Sequence, residues 1–191
     1  MKGTVLDLET TALDAVGGGM IVCGVIKPLL SEPIVYRYDR LGDKPGHEYR
    51  TVKNLVEALS EFQLVIGHNI DGFDWGMLKS RALLLGVPLP KPILSYDTMK
   101  AFGRTGYRTV LNYKGKPTKS LAHIADFFGI EQMKTGIYPR EHWKAVWEAG
   151  ALRRKAMDNI VEHCVADVIM TEEIYWRLIE TDTVDRIKRL K

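Results

Sequence analysis

Asp7 and Glu9 lie two residues apart in Thr4-Val5-Leu6-Asp7-Leu8-Glu9-Thr10-Thr11, an otherwise apolar, strand-like run. Side chains at i and i+2 of a strand project to the same face, so this spacing sets two carboxylates side by side. Adjacent carboxylates repel, and each raises the pKa of the other unless positive charge lies between them. A divalent ion meets that need, which makes metal-dependent chemistry the first function class the pair raises. The alternative is an edge strand carrying two solvated acids.

Two further groups of acids follow. Val65-Ile66-Gly67-His68-Asn69-Ile70-Asp71-Gly72-Phe73-Asp74 delivers carboxylates to the end of a short apolar strand, where α/β proteins commonly build sites. Asp71 is placed to cap the helix that follows. That leaves Asp74, in the first turn, as the acid turned over the sheet end, although both also suit a helix start through the macrodipole. Near the C-terminus, His163 and Asp167 are four apart in Ile160-Val161-Glu162-His163-Cys164-Val165-Ala166-Asp167-Val168 and so share a helix face. An acid between Ala166 and Val168 is expected to be partly buried, where an unpaired charge is expensive. A metal held with Asp7 would compensate it; a surface His–Asp ion pair is the competing reading.

The elements that must position these groups are legible from hydrophobic period. Strands are expected at Thr4–Leu8, Met20–Ile26, Pro33–Tyr38, Leu64–Ile66 and Ile93–Tyr96, the first three close enough to form an antiparallel meander. Helices are expected at Val52–Phe62, Phe73–Leu85, Lys119–Phe128 and Leu152–Ile179. This order predicts an α/β fold, one five-stranded mixed sheet flanked by helices. At 191 residues the chain is read as a single domain, 1–191, with a substantial core. Its formal charge of +3 is compatible with an anionic partner without requiring one. Cys23 and Cys164 lack zinc-type or CxxC spacing and read as reduced, buried thiols. No apolar run is long enough to span a bilayer, so no membrane partner is expected. Trp143, Trp147 and Trp176 read as core or interface aromatics, and the basic stretch Asp185–Lys191 as a helix end.

Taken together, the three acidic stretches resemble the DEDD superfamily of 3′→5′ exonucleases, whose fold is ribonuclease H-like. Asp7-Leu8-Glu9-Thr10-Thr11 resembles the first family motif, Asn69 to Asp74 the second, and Glu162 to Val168 the third. Tyr96-Asp97-Thr98 and the segment from Lys119 to Ile130 also match, and the resemblance covers nearly the whole chain. Within the superfamily it is nearest to phage and prokaryotic predicted exonucleases and to proofreading domains of phage polymerases. One departure matters. His163-x-x-x-Asp167 places a histidine at the spacing that one branch of the family fills with tyrosine. Ala12, where many relatives have glycine, affects only the local turn.

The resemblance implies hydrolysis of phosphodiesters by two Mg²⁺ or Mn²⁺ ions about 4 Å apart. Asp7 would bridge them, Glu9 and Asp167 would hold the ion carrying the nucleophile, and Asp74 would help hold the other. His163 would orient or deprotonate the attacking water, a role open to an imidazole, which ordinarily titrates at about pH 6.5. Thr10, Thr11 and Leu13 would meet the terminal nucleotide, with Asn69 and Phe73 lining the same pocket. From Arg104 to Lys119 the chain carries Arg104, Arg108, Lys114, Lys116 and Lys119 with Tyr107 and Tyr113 interleaved and no acid. That mixture suits backbone contact and base stacking on single strands, though a solvated basic loop would look the same.

The implied substrate is the 3′ end of single-stranded DNA or RNA, DNA favoured, with nucleoside monophosphates as products. Possible partners are a separate polymerase or replication protein, in the cytoplasm of a prokaryotic or phage-infected host cell. Two other readings stay open: a non-catalytic ribonuclease H-like module that binds nucleic acid or a polymerase, and a structure-specific endonuclease on the same fold.

Overall fold

A computed structural model describes residues 1–44, 47–89, 93–104, 112–113, 116–117, 119–131, 140–148, 150–181 and 188–189. Three strands open the chain: β1 (Gly3–Thr10), β2 (Ile21–Pro28) and β3 (Ile34–Arg37). They pair antiparallel in sequence order, the meander expected from their short connections. After helix α1 (Tyr49–Leu59), β4 (Leu64–Gly67) returns parallel to β1 on its other side. Helix α2 (Asp74–Leu85) leads to β5 (Leu94–Asp97), parallel to β4. The remaining elements are α3 (Thr98–Arg104), a hairpin of β6 (Asn112–Tyr113) and β7 (Lys116–Pro117), α4 (Leu121–Phe128), α5 (Arg140–Ala145) and α6 (Ala151–Thr181).

The result is the mixed sheet flanked by helices that the sequence predicts, in the order β3-β2-β1-β4-β5. A two-residue strand, β8 (Lys188–Arg189), pairs antiparallel with β5 at the edge. The basic tail was expected to continue a helix. Two of its residues instead satisfy the outer edge of β5, and the others lie outside the described residues. The short elements α3, α5 and the β6–β7 hairpin carry too little hydrophobic period to be found by pattern.

Alternation along β1 sorts the two faces of the sheet. Val5 joins Cys23, Val25 and, from α6, Cys164 and Val168 in one buried cluster. Leu6 and Leu8 point the other way, into a cluster with Leu55 of α1 and Leu78 of α2. Because side chains alternate, Asp7 and Glu9 fall on the α6 face with Val5. Burial of the apolar neighbours on both sides therefore fixes which helix the acids meet. A one-residue slip would turn them to the opposite face. Trp143 and Trp176 pack against the α6-side core, and Trp147 is 45% exposed, so of the core and interface alternatives the core one does not hold for it. No helix among the described residues is long and apolar enough to cross a membrane.

Candidate active site

Four acids from three elements converge at the C-terminal end of β1. Asp7 and Glu9 come from the strand, and Asp167 comes from α6, which lies across that face. The crossing is fixed locally by Cys164, whose Sγ donates to Asp7 O at 3.4 Å. Asp74, the first residue of α2, accepts a hydrogen bond on Oδ1 from Leu8 N at 3.1 Å. β1 outruns the parallel pairing with β4, which ends at Val5 and Ile66. The Leu8 amide beyond that point is satisfied by a side chain, and this draws Asp74 to the acids. Asp74 is buried, whereas Asp7, Glu9 and Asp167 keep partial openings to solvent.

The electrostatics are those of an uncompensated cluster. Burial, then the charges of Asp74, Glu9 and Asp167, hold the Asp7 carboxyl well above the usual range. Burial, then Asp167 and Asp74, push Glu9 up to about 8. Asp74 is pushed up to about 7, mainly by burial, against the opposing pull of the Leu8 hydrogen bond. Asp167 is raised by burial and lowered by His163, whose Nε2 stands 3.5 Å from Asp167 Oδ2. Among the described residues no lysine or arginine pairs with any of the four. A set of oxygen donors that raise one another's pKa fits a hard divalent cation in donor type. No three described His, Cys, Asp or Glu side chains are already gathered closely enough to hold an ion as they stand. The fit is therefore one of donor chemistry and not of a preassembled cage.

The loop bearing the second motif is held by an acid that sequence reasoning gave no role. Asp97, at the end of β5 and 5% exposed, accepts from Asn69 N at 3.1 Å, Lys100 N at 3.1 Å and Asp71 N at 3.3 Å. Asn69 sits in the left-handed region at φ 64°, and a Cβ at Gly72 would collide with Asn69 Oδ1. The loop thus depends on Asn69 tolerating that conformation, and a larger residue at 72 would displace the Asn69 amide. Asp71 does not cap α2, whose N-cap is Phe73. Its carboxylate instead takes Ser95 Oγ at 2.8 Å and Lys100 Nζ at 2.9 Å, both from the β5–α3 side. Partners distant in sequence outcompeted the local cap.

Leu13 and Phe73 meet in a groove of about 260 Å³ with Asp14, Val16, Gly76 and Met77. Its floor is tied down by Arg81 of α2, which bonds Ala15 O at 3.1 Å and pairs through Nε and Nη2 with buried Glu48 at 2.6 and 3.0 Å. Thr10 and Thr11 face this turn: Thr10 Oγ1 donates to Ala12 O and Thr11 Oγ1 accepts from Met20 N, both at 2.9 Å. Thr10 follows Glu9 and Phe73 precedes Asp74 in the chain, but none of the four acids lines this groove. Arg108 and Lys114 lie outside the described residues, and of Arg104 and Lys116 only the backbone is described. Asp97 could have been suspected from sequence as an acid at a strand end. The Glu48–Arg81 pair, separated by 33 positions, leaves no sequence signal.

Among solved structures, the chain is similar to a family B DNA polymerase from the hyperthermophilic archaeon Pyrobaculum calidifontis, with a TM-score of 0.72 and 19% identity. The similarity covers 94% of this chain and 24% of that one. It is also similar to exonuclease I, with a TM-score of 0.61 and 13% identity over 95% of this chain and 41% of that one. E. coli exonuclease I in complex with an oligonucleotide gives a TM-score of 0.59 at 12% identity, again covering 41% of that chain. The chain thus spans less than half of each of these proteins. A search of curated protein sequences returned no match. The sequence profile of the RNase_H superfamily matches residues 4–179, and the chain belongs to that superfamily.

Proposed function

We propose that this protein is a metal-dependent 3′→5′ exonuclease of the DEDD type that releases nucleoside monophosphates from single-stranded nucleic acid, DNA in preference to RNA. The observation that carries this reading is the convergence of Asp7, Glu9, Asp74 and Asp167 without a compensating lysine or arginine among the described residues. Asp7, Glu9, Asp74 and Asp167 would hold two divalent ions, Mg²⁺ or Mn²⁺. Bound there, such ions supply Lewis-acid stabilisation of the phosphoryl oxygens and lower the pKa of the attacking water.

The chain's own residues do the rest. His163, beside Asp167, orients the water and takes its proton. Asp97 fixes the Asn69–Phe73 loop so that Phe73 and Leu13 receive the terminal nucleotide. Thr10 and Thr11 shape the turn that meets its 3′-hydroxyl. Glu48 and Arg81 keep that turn against α2 without touching substrate. The 1–191 domain would serve beside a polymerase or replication protein.

Digestion of 5′-labelled linear and closed circular single strands with Mg²⁺ or Mn²⁺ tests the proposal. The expected result is a ladder of 3′-shortened products from the linear strand and an intact circle. Nicking of the circle would favour an endonuclease. No metal-dependent cleavage of DNA or RNA would leave the binding-module reading.

A further inference from the structure

A second charged concavity lies on the same side of the sheet, outside the four acids. It measures about 220 Å³ and is lined by Arg37, Asp39, Arg40, Arg153, Arg154 and Asp158. Its lining is charged throughout, which suits a phosphate group and not a base. Four guanidinium groups face two carboxylates. Arg37, 5% exposed, is committed to fastening β3 to α6: Nε and Nη2 pair with Asp39 at 2.7 and 2.9 Å, and Nη1 with Asp158 at 2.6 Å.

That fastening does not use the other arginines fully. Arg153 meets the Tyr38 hydroxyl, yet its buried Nε has no hydrogen-bond partner. Arg154 pairs with no carboxylate among the described residues. Arg40 reaches Asp158 only at 3.8 Å, and both side chains are more than half exposed. Guanidinium forks match phosphate oxygens well, and Asp158 occupies the position an anionic oxygen would take.

The pocket also stands in register with the acids. Glu9 pairs with Cys23, and Cys23 with Arg37, placing Arg37 two strands from Glu9 on the same face. At ordinary strand spacing that is about 10 Å. Arg154 and Asp158 each precede His163 and Asp167 by nine residues on α6, about 13.5 Å along the axis. A short run of nucleotides spans this distance.

We infer that the Arg37–Arg40–Arg153–Arg154 pocket binds a backbone phosphate of the nucleic-acid strand whose 3′ end lies at the four acids, an assignment that rests on the nuclease reading of that site. Asp158 is displaced from the arginines when the phosphate enters.

Fluorescence anisotropy of a 5′-labelled single strand in EDTA, over a salt series, tests it on the full chain. Arg40→Gln with Arg154→Gln should raise Kd about tenfold and reduce the salt slope by about 0.7, the contribution of one single-strand phosphate contact. Asp158→Asn should tighten binding severalfold by removing the competing carboxylate. Lys53→Gln, an exposed α1 lysine paired with Glu57, should leave both readouts unchanged. Unchanged affinity in the double variant, or weaker binding by Asp158→Asn, would overturn the assignment. Inorganic phosphate bound by wild type but not by the double variant, with oligonucleotide affinity equal in both, would also overturn it in favour of a free-anion site. Wild type that binds through these arginines but never shortens the strand would sink the nuclease reading alone. Normal shortening with an unresponsive Kd would sink only the pocket.

Discussion

Buried and half-buried carboxylates in this chain fall into two sets that are treated in opposite ways. Glu48 is fully buried and held bidentately by Arg81; Glu172 is paired with Lys27 and accepts Leu30 N at 2.7 Å. Asp97 takes three backbone amides. Asp7, Glu9, Asp74 and Asp167 face one another, and their pKa values rise. Glu48, Glu172 and Asp97 are each met by a cation or by several amides, whereas of the four clustered acids only Asp74 takes an amide, that of Leu8, and its pKa still rises. Such acids cost stability, a cost characteristic of functional sites.

Substitutions that remove one charge from each set should move stability in opposite directions. The largest expected effect is on catalysis: Asp7→Asn should lower metal-dependent nuclease activity by more than about 100-fold, beyond the loss seen when only a ligand's supporting group is removed. The same substitution should raise the Tm of the metal-free protein at neutral pH, because the folded chain no longer has to hold at Asp7 a proton that the unfolded chain releases. Arg81→Met should do the reverse. It strands the Glu48 charge in the core and should cost about 3–5 kcal/mol of stability in urea denaturation. Equal Tm shifts in the same direction for the two variants would erase the distinction between the sets.

His163→Ala sharpens the comparison within the site. It removes no charge from the acid cluster and should reduce kcat roughly 100-fold while leaving Mn²⁺ affinity nearly intact. A fall in metal affinity matching that of Asp7→Asn would make His163 a ligand instead.

The smallest effect is on pH. Glu9 at about 8 and Asp74 at about 7 stand above their ordinary values of 4.5 and 3.8, so the folded chain keeps protons that the unfolded chain releases. The sign follows: their contribution to stability is full at low pH and is lost as pH climbs toward 8. In EDTA, Tm should fall steadily between pH 5.5 and 8.5, and Mg²⁺ should remove most of the slope. A flat profile in EDTA would mean the acids are compensated after all.

Much of this division was legible in the chain. Period-two alternation in β1 put Asp7 and Glu9 on one face, and the apolar stripe of α6 put His163 and Asp167 together. Both are local patterns with a buried side to enforce them. The supporting contacts were not legible. Asp71 looked like a cap because capping rules see only neighbours, whereas Ser95 and Lys100 come from another strand–helix junction. Glu48 and Arg81 meet across 33 positions, and Asp97 reaches Asn69 and Asp71 from another strand end, where sequence spacing carries no information; only its bond to Lys100 N is local. The pocket of Arg37 and Arg154 joins residues more than a hundred positions apart. Trp147 shows the limit of period itself: helical spacing left core and interface both open, and the side chain lies at the surface.

Titrating Mn²⁺ calorimetrically into wild type and Asp7→Asn at pH 7, in buffers of different ionisation enthalpy, tests the central claim most directly. Acids held protonated by mutual repulsion must release protons when a cation replaces them. Wild type should bind two ions with net proton release, and Asp7→Asn should lose at least one ion and most of the proton release. Binding without proton release, or binding unchanged by Asp7→Asn, would contradict the account.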